Sequence, residues 1–268
     1  MRNVQPPNVN DDTAKATGTD TTPEVLEEFR VGEVLSAGFG TLFSNFSSYT
    51  LISAIVYMPL VVWALLVDNG LGFFQFDLNV GTTGLVGGTF IVSVLGFIAY
   101  AAIVYGAIEQ QAGNKIGLLK MLTGGLNQLF PVILASILVA LLTLLGFVLL
   151  IIPGIIIMLA LQATIPAIVA ERLSPLDALK RSASLTDGHK WPILGILIIV
   201  GIIEGVFSSI LNLLPLTTDA NSYILVVVFL IQTAITTALG GTVAAAIYSQ
   251  LRIAKEGVSA DDIAKVFS

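Results

Sequence analysis

Six long apolar runs, parted by short polar gaps, dominate the chain from Phe46 onward. They cover 46–67, 85–108, 129–152, 153–170, 191–214 and 223–248. At a rise of about 1.5 Å per residue, runs of this length cross a hydrocarbon core of roughly 30 Å, so the pattern predicts six transmembrane helices. A Gly- and Asp-containing loop from Asp68 to Gly84 joins the first two runs. The third and fourth are parted only by Ile151-Ile152-Pro153-Gly154, which predicts a tight hairpin turning at Pro153-Gly154. The fourth run is short and carries Gln162 and Pro166.

Upstream of the first run, Val31, Val34, Leu35, Phe39, Leu42, Phe43 and Phe46 recur at spacings of three and four, an amphipathic helical stripe. Thr22-Pro23, followed by Glu24, Glu27 and Glu28, reads as the start of that helix, placed over 23–45. It either lies along the inner membrane surface or docks against the protein's own loops. Residues 1–22 are rich in Asn, Asp, Thr and Pro and read as a disordered tail, and 249–268 as a second tail. Three segments, VGEVLSAGFGTLFSNF, KIGLLKMLTGGLNQLF and SPLDALKRSASLTDGHKW, each precede an odd-numbered run. Offsets of about 84 and 60 residues align Leu35, Leu119 and Leu179, then Gly40, Gly124 and Ser184. The expected fold is therefore all-α and polytopic: six transmembrane helices with short interfacial helices, built as three weak helix-plus-hairpin repeats.

Charge gives this bundle an orientation. All twelve Lys and Arg residues fall before the first run, between the second and third, between the fourth and fifth, or after the sixth. The other gaps carry Asp68, Asp77 and Asp219 but no cation. By the positive-inside rule both termini are expected in the cytoplasm of a bacterial inner (plasma) membrane protein. The net charge of −6 comes largely from acids near the two ends and argues against a nucleic-acid partner. The chain has no cysteine, which excludes disulfides and thiolate chemistry. Its first residues lack the apolar stretch of a cleavable signal peptide, so the first run is expected to act as its own insertion signal.

The most specific segment runs from Glu171 to Trp191. Ser174, Pro175 and Asp177 form a helix-start signature, Asp177 and Arg181 stand four apart as a potential pair, and Gly188 suits a helix end. Lys180, Arg181 and Lys190 would meet the anionic inner leaflet, each worth about 1 kcal/mol of headgroup attraction. Glu171, Lys180, Arg181, Lys190 and Trp191 thus form a candidate lipid or partner face, unless the cations serve only to fix topology.

Glu171, Ala178, Leu179, Arg181, Ser182, Leu185, Thr186, Gly188 and Trp191, with Pro153-Gly154 and Pro166 upstream and Val31-Gly32-Glu33 before the first run, resemble a bacterial family. It is the membrane domain named after glycerophosphoryl diester phosphodiesterase, together with stand-alone relatives of unknown function. The resemblance covers most of Val31 to Tyr248; Ala183 or Ser184 stands where relatives often carry an aromatic residue. In the namesake proteins a soluble barrel hydrolase follows the membrane domain. Ser268 comes about twenty residues after the last run, so no such barrel is expected here and the resemblance implies no activity.

The remaining candidate is Glu204, about fourteen residues into the fifth run. An ionised acid at that depth costs on the order of 2.5–3.5 kcal/mol, so it should face the bundle interior or stay protonated. Gly201 and Gly205 flank it in a GxxxG spacing that would let another helix approach, and Gln162, Gln232 and Thr233/Thr236/Thr237 are possible partners. The site is either a coupling group for transport or a polar latch between helices. His189 is the only histidine, and no metal, cofactor or nucleophile motif occurs. The expectation is a non-enzymatic membrane protein without cofactors, acting as a scaffold, lipid-interacting or complex-associated subunit. The alternative is a small-solute or proton-coupled transporter centred on Glu204.

Overall fold

A computed structural model describes residues 29–66, 82–217 and 222–257. The expected tail over 1–22, most of the 68–84 loop and the end of the chain beyond Gly257 lie outside the described residues. Within them the chain is helical without a strand. The helices are α1 (Val31–Ser44), α2 (Phe46–Leu66), α3 (Thr82–Gln111), α4 (Leu118–Asn127), α5 (Leu129–Leu149), α6 (Ile151–Ala160), α7 (Thr164–Glu171), α8 (Pro175–Thr186), α9 (Lys190–Thr217) and α10 (Ser222–Glu256). Six segments are long and apolar enough to cross a membrane, the fourth being α6 and α7 taken together. This is a multi-pass membrane protein.

α3 and α10 form the central pair, and α2 packs on both. Their lengths, 30 and 35 residues, exceed the roughly 20 that a bilayer requires. The ends that carry Gln111 and Glu256 are wrapped by a collar of short helices, α1, α4, α7 and α8. Burial is densest there, through Ala99, Ala101, Ala102, Ile103, Val104, Ala107 and Ile108 on α3 and Val243 to Tyr248 on α10. Small residues allow this crowding. A Cβ on Gly241 would stand 2.7 Å from the Ile103 side chain, one on Gly38 3.0 Å from Val243, and one on Gly125 2.5 Å from the Ala102 backbone nitrogen. α1 is thus docked on the protein itself, with Val34 and Leu42 buried while Phe43 faces outward.

The three repeat units stand as α1 with α2–α3, α4 with the α5–α6 hairpin and α7, and α8 with α9–α10. Their register differs from the one that sequence similarity suggests. Counted from the first helical residue, the fourth position is buried in each collar helix (Val34, Met121, Ala178), and so is the eighth (Gly38, Gly125, Ser182). The offsets are therefore 87 and 57 residues, which moves the middle unit by three. Leu119, paired with Leu35 and Leu179 by sequence, is 78% exposed, and its place belongs to Leu122. Leucines are frequent enough in apolar sequence to align by chance, whereas the buried eighth position carries the small residues Gly, Gly and Ser.

The α5–α6 hairpin does not turn at Pro153-Gly154. The single non-helical residue is Leu150, extended at φ −166° and ψ 156°, with its N–H donating to the Gly146 carbonyl at 3.0 Å. Pro153 is the third residue of α6, where its missing N–H has no intrahelical partner to lose. Gly154 sets the closeness of the limbs, since a Cβ on Gly146 would lie 2.8 Å from the Gly154 Cα. The fourth span is broken again at Leu161–Ala163. Pro166 explains this break, because a continuous helix would drive its ring into the Gln162 carbonyl.

Candidate functional site

α7 ends at Glu171, and Arg172 reverses the chain in the left-handed region at φ 53°. Ser174 then starts α8: its Oγ accepts from the Asp177 N–H at 3.3 Å and its hydroxyl donates to Asp177 Oδ2 at 2.6 Å. Because Asp177 is engaged in this cap, the expected Asp177–Arg181 pair does not form. Arg181, two turns into α8, points inward instead. Its Nε donates to Glu171 Oε1 and Oε2 at 2.9 and 3.1 Å, and its Nη1 to Glu256.

α10 completes the cluster with three residues spaced by four on one face. Tyr248 donates its hydroxyl to Glu171 Oε1 at 2.6 Å, and Arg252 Nε donates to Glu256 Oε2 at 3.1 Å. Arg252 also lies 4.0 Å from Glu171 and 6.0 Å from the centre of the Tyr248 ring. The four charged side chains are only 12–27% exposed and sum to zero charge. Hydrogen bonds to Glu256, and after it Glu171, push the Arg181 pKa up against the opposing effect of burial. The cluster joins the end of the fourth span, the end of the sixth and α8. Beside it, Ser182 and Thr186 donate to the Ala160 carbonyl at 2.8 and 3.2 Å, and the Ala163 N–H donates to Ser182 Oγ at 3.0 Å. α8 therefore satisfies the backbone groups that the break in the fourth span releases.

The five residues expected to form one lipid or partner face separate into two sets. Glu171 and Arg181 are internal. Lys190 pairs with Asp187 at 2.9 Å and holds the Asp187 carboxyl below its ordinary pKa through that hydrogen bond. Lys180 has no ion-pair partner among the described residues, and Trp191 is 81% exposed. His189 packs against Phe29, ring centroids 5.3 Å apart.

Glu204 is half-buried and makes no hydrogen bond among the described residues. Its electrostatic neighbour is Tyr100 of α3. Gln232 donates to Ser208 at 2.8 Å, one turn beyond Glu204, and Gln162 lines a 520 Å³ cavity with Tyr100, Ser136 and Thr143. The three intramembrane polar residues are thus not joined into one site. Nor does a helix approach Gly201 and Gly205, since both face open space and no described atom lies where their Cβ would be. The close glycine contacts are those of the collar and the α5–α6 hairpin.

A second polar cluster escaped the sequence reading. Gln110 accepts from the Tyr49 hydroxyl at 2.7 Å and donates to Ser44 Oγ at 2.5 Å, while Gln111 donates to Thr41 and accepts from Ser249 at 3.1 Å. Together they tie α1, α2, α3 and α10 around a 390 Å³ cavity. Glu109, fully buried beside them in sequence, accepts from Asn114 at 2.8 Å. The signal was the polar triplet Glu109-Gln110-Gln111 closing an otherwise apolar run.

A multi-pass helical membrane protein with a polar-stitched collar at one end of the bundle is the class that this fold and site define. The chain belongs to a family defined as a domain of unknown function, DUF7847, whose model matches residues 75–251, about two thirds of its length. No curated protein and no solved structure matches it.

Proposed function

We propose that the protein is a non-enzymatic integral component of the inner (plasma) membrane, with both termini cytoplasmic, serving as a scaffold, lipid-interacting or complex-associated subunit. The observation that carries this reading is how the collar uses its charges. Glu171, Arg181, Arg252 and Glu256 saturate one another, which suits holding a surface in shape more than turning over a substrate. Lys180, midway along α8, and Trp191, the second residue of α9, are left exposed, a cation and an amphipathic ring of the kinds that favour a headgroup region. The likeness of the α8 segment to the glycerophosphoryl diester phosphodiesterase membrane domain is part of the same proposal and adds no activity to it. The test is purification of the full chain from native membrane in a mild detergent, with the accompanying lipids and proteins identified. Enrichment of anionic phospholipid, or a stoichiometric partner, that diminishes with Lys180→Gln and Trp191→Ala is expected. A preparation carrying neither would remove the basis for the reading.

A transporter is the second reading, favoured by the broken fourth span and the 520 Å³ cavity beside it. Both features centre on Gln162 and Tyr100, and Glu204 does not line the cavity. If transport is the activity, Gln162→Leu should reduce solute or proton flux into proteoliposomes more than Glu204→Gln does. Equal flux in wild type and both variants would exclude this route.

A further inference from the structure

On the flank of the collar, a recess of about 310 Å³ opens between α3, α4, the start of α5 and the end of α7. Its polar lining is Tyr105, Lys120, Thr123, Asn127, Gln128 and Arg172. Both ionic groups in it are cations, and neither Lys120 nor Arg172 has a carboxylate partner among the described residues. Glu109, one turn from Tyr105 on α3, is buried and does not itself line the recess; it accepts a hydrogen bond from the Tyr105 hydroxyl behind the lining. The side chains of Asn127 and Gln128 make no hydrogen bond among the described residues, while the Thr123 hydroxyl is bonded to the Leu119 carbonyl at 2.9 Å. Gln128 is also the N-cap residue of the 21-residue α5, and its side chain does not cap that helix. The recess therefore combines two positive charges, free amide donors and the positive end of a helix dipole.

Arg172 adds an independent sign. It is the one non-glycine residue with positive φ among the described residues, at a helix end where glycine would sit without strain. An arginine is held there against its backbone preference, and it lines the recess. Planar guanidinium donors match two oxygens of a phosphate, and a lysine supplies a point charge for a third. Exposed Leu119, Leu126 and Phe130 beside the recess provide an apolar surface for acyl chains.

We propose that the Lys120–Arg172 recess binds a phosphate group, carried either by an anionic phospholipid headgroup or by a soluble phosphate. It lies apart from Lys180 and Trp191, rests on the lipid-interacting reading only for the first of these sources, and stands if those two residues bind nothing.

The test uses the full chain in non-ionic detergent, titrated separately with phosphatidylglycerol, followed by native mass spectrometry, and with inorganic phosphate, followed by thermal shift against chloride at matched ionic strength. Lys120→Gln and Arg172→Gly should each weaken binding by about five-fold, and the double variant by about 25-fold, if each cation contributes at the headgroup scale. Arg172→Gly also relieves the left-handed strain, so its thermal stability should hold or rise while binding falls, an outcome that a purely structural Arg172 would not give. Lys115→Gln should leave binding of both probes unchanged, and the losses at Lys120 and Arg172 should persist in a Lys180→Gln/Trp191→Ala background, which removes any phosphatidylglycerol held at those two residues. Loss with phosphatidylglycerol alone assigns the lipid source, and loss with inorganic phosphate alone assigns the soluble one. The proposal is overturned if wild type binds neither probe, or if the double variant binds both as wild type does.

Discussion

Replacing Arg181 with Gln should destabilise the protein by about 2–4 kcal/mol, and the structure allows that figure to be built up. The guanidinium donates to both oxygens of Glu171 and to Glu256. Hydrogen bonds to charged groups contribute about 1.5–3 kcal/mol each when well shielded, and these groups are roughly a quarter exposed, so each counts for less. Removing Arg181 also leaves two part-buried carboxylates with Arg252 as their remaining cation, and unpaired buried charge is the larger cost. Glu256→Gln removes one acceptor only and should cost about 1–2 kcal/mol. The decisive assay is a double-mutant cycle, with unfolding in mixed detergent micelles followed by circular dichroism. Because the two side chains share a bond, the double variant should be less destabilised than the sum of the singles by about 1–2 kcal/mol. Additivity within about 0.5 kcal/mol would falsify the account of the cluster as a coupled stitch between α8 and α10.

Two further outcomes follow from the packing of the collar. Gly125→Ala places a Cβ against the Ala102 backbone, which no rotamer change relieves, and should cost about 1–3 kcal/mol; Gly40→Ala, in open space, should gain up to about 1 kcal/mol, both read by the same unfolding assay. Ser182→Ala leaves the Ala163 N–H unpaired and the Ala160 carbonyl with Thr186 alone, for a loss of about 1–3 kcal/mol, whereas exposed Ser184→Ala should stay within about 0.5 kcal/mol. A Ser182→Ala variant as stable as wild type would show that α8 does not hold the broken span.

The spans were legible because a bilayer demands a long apolar run and tolerates few ways of making one. Partnerships were not, because they join residues far apart in sequence. Asp177 and Arg181 have the spacing of a helical pair, yet Arg181 reaches Glu171 and Glu256, ten and 75 residues away. Gly201 and Gly205 have the spacing of a packing motif, but whether a helix lies opposite depends on which face of α9 turns inward. A turn is expected at Pro153-Gly154, while Pro166 is a proline within the fourth run. Each stands third in a new helix, where proline is tolerated, so the break comes a few residues before it: at Leu150 ahead of Pro153 and at Leu161–Ala163 ahead of Pro166. The repeat was visible, but its register became clear from burial at the eighth position of each collar helix, which letter matching does not register.

The central claim, that exposed Lys180 of α8 and Trp191 of α9 are offered to membrane or partner while the charged cluster is structural, can be tested by site-specific photo-crosslinking in living cells. The absence of any native cysteine also permits single-cysteine labelling at the same positions from a known side of the membrane. A photoreactive residue at Trp191 or Lys180 should give a defined lipid or protein adduct, and one at buried Leu185 should give only internal products. No adduct at positions 180 and 191, with labelling of both from the outer side of the membrane, would contradict the account.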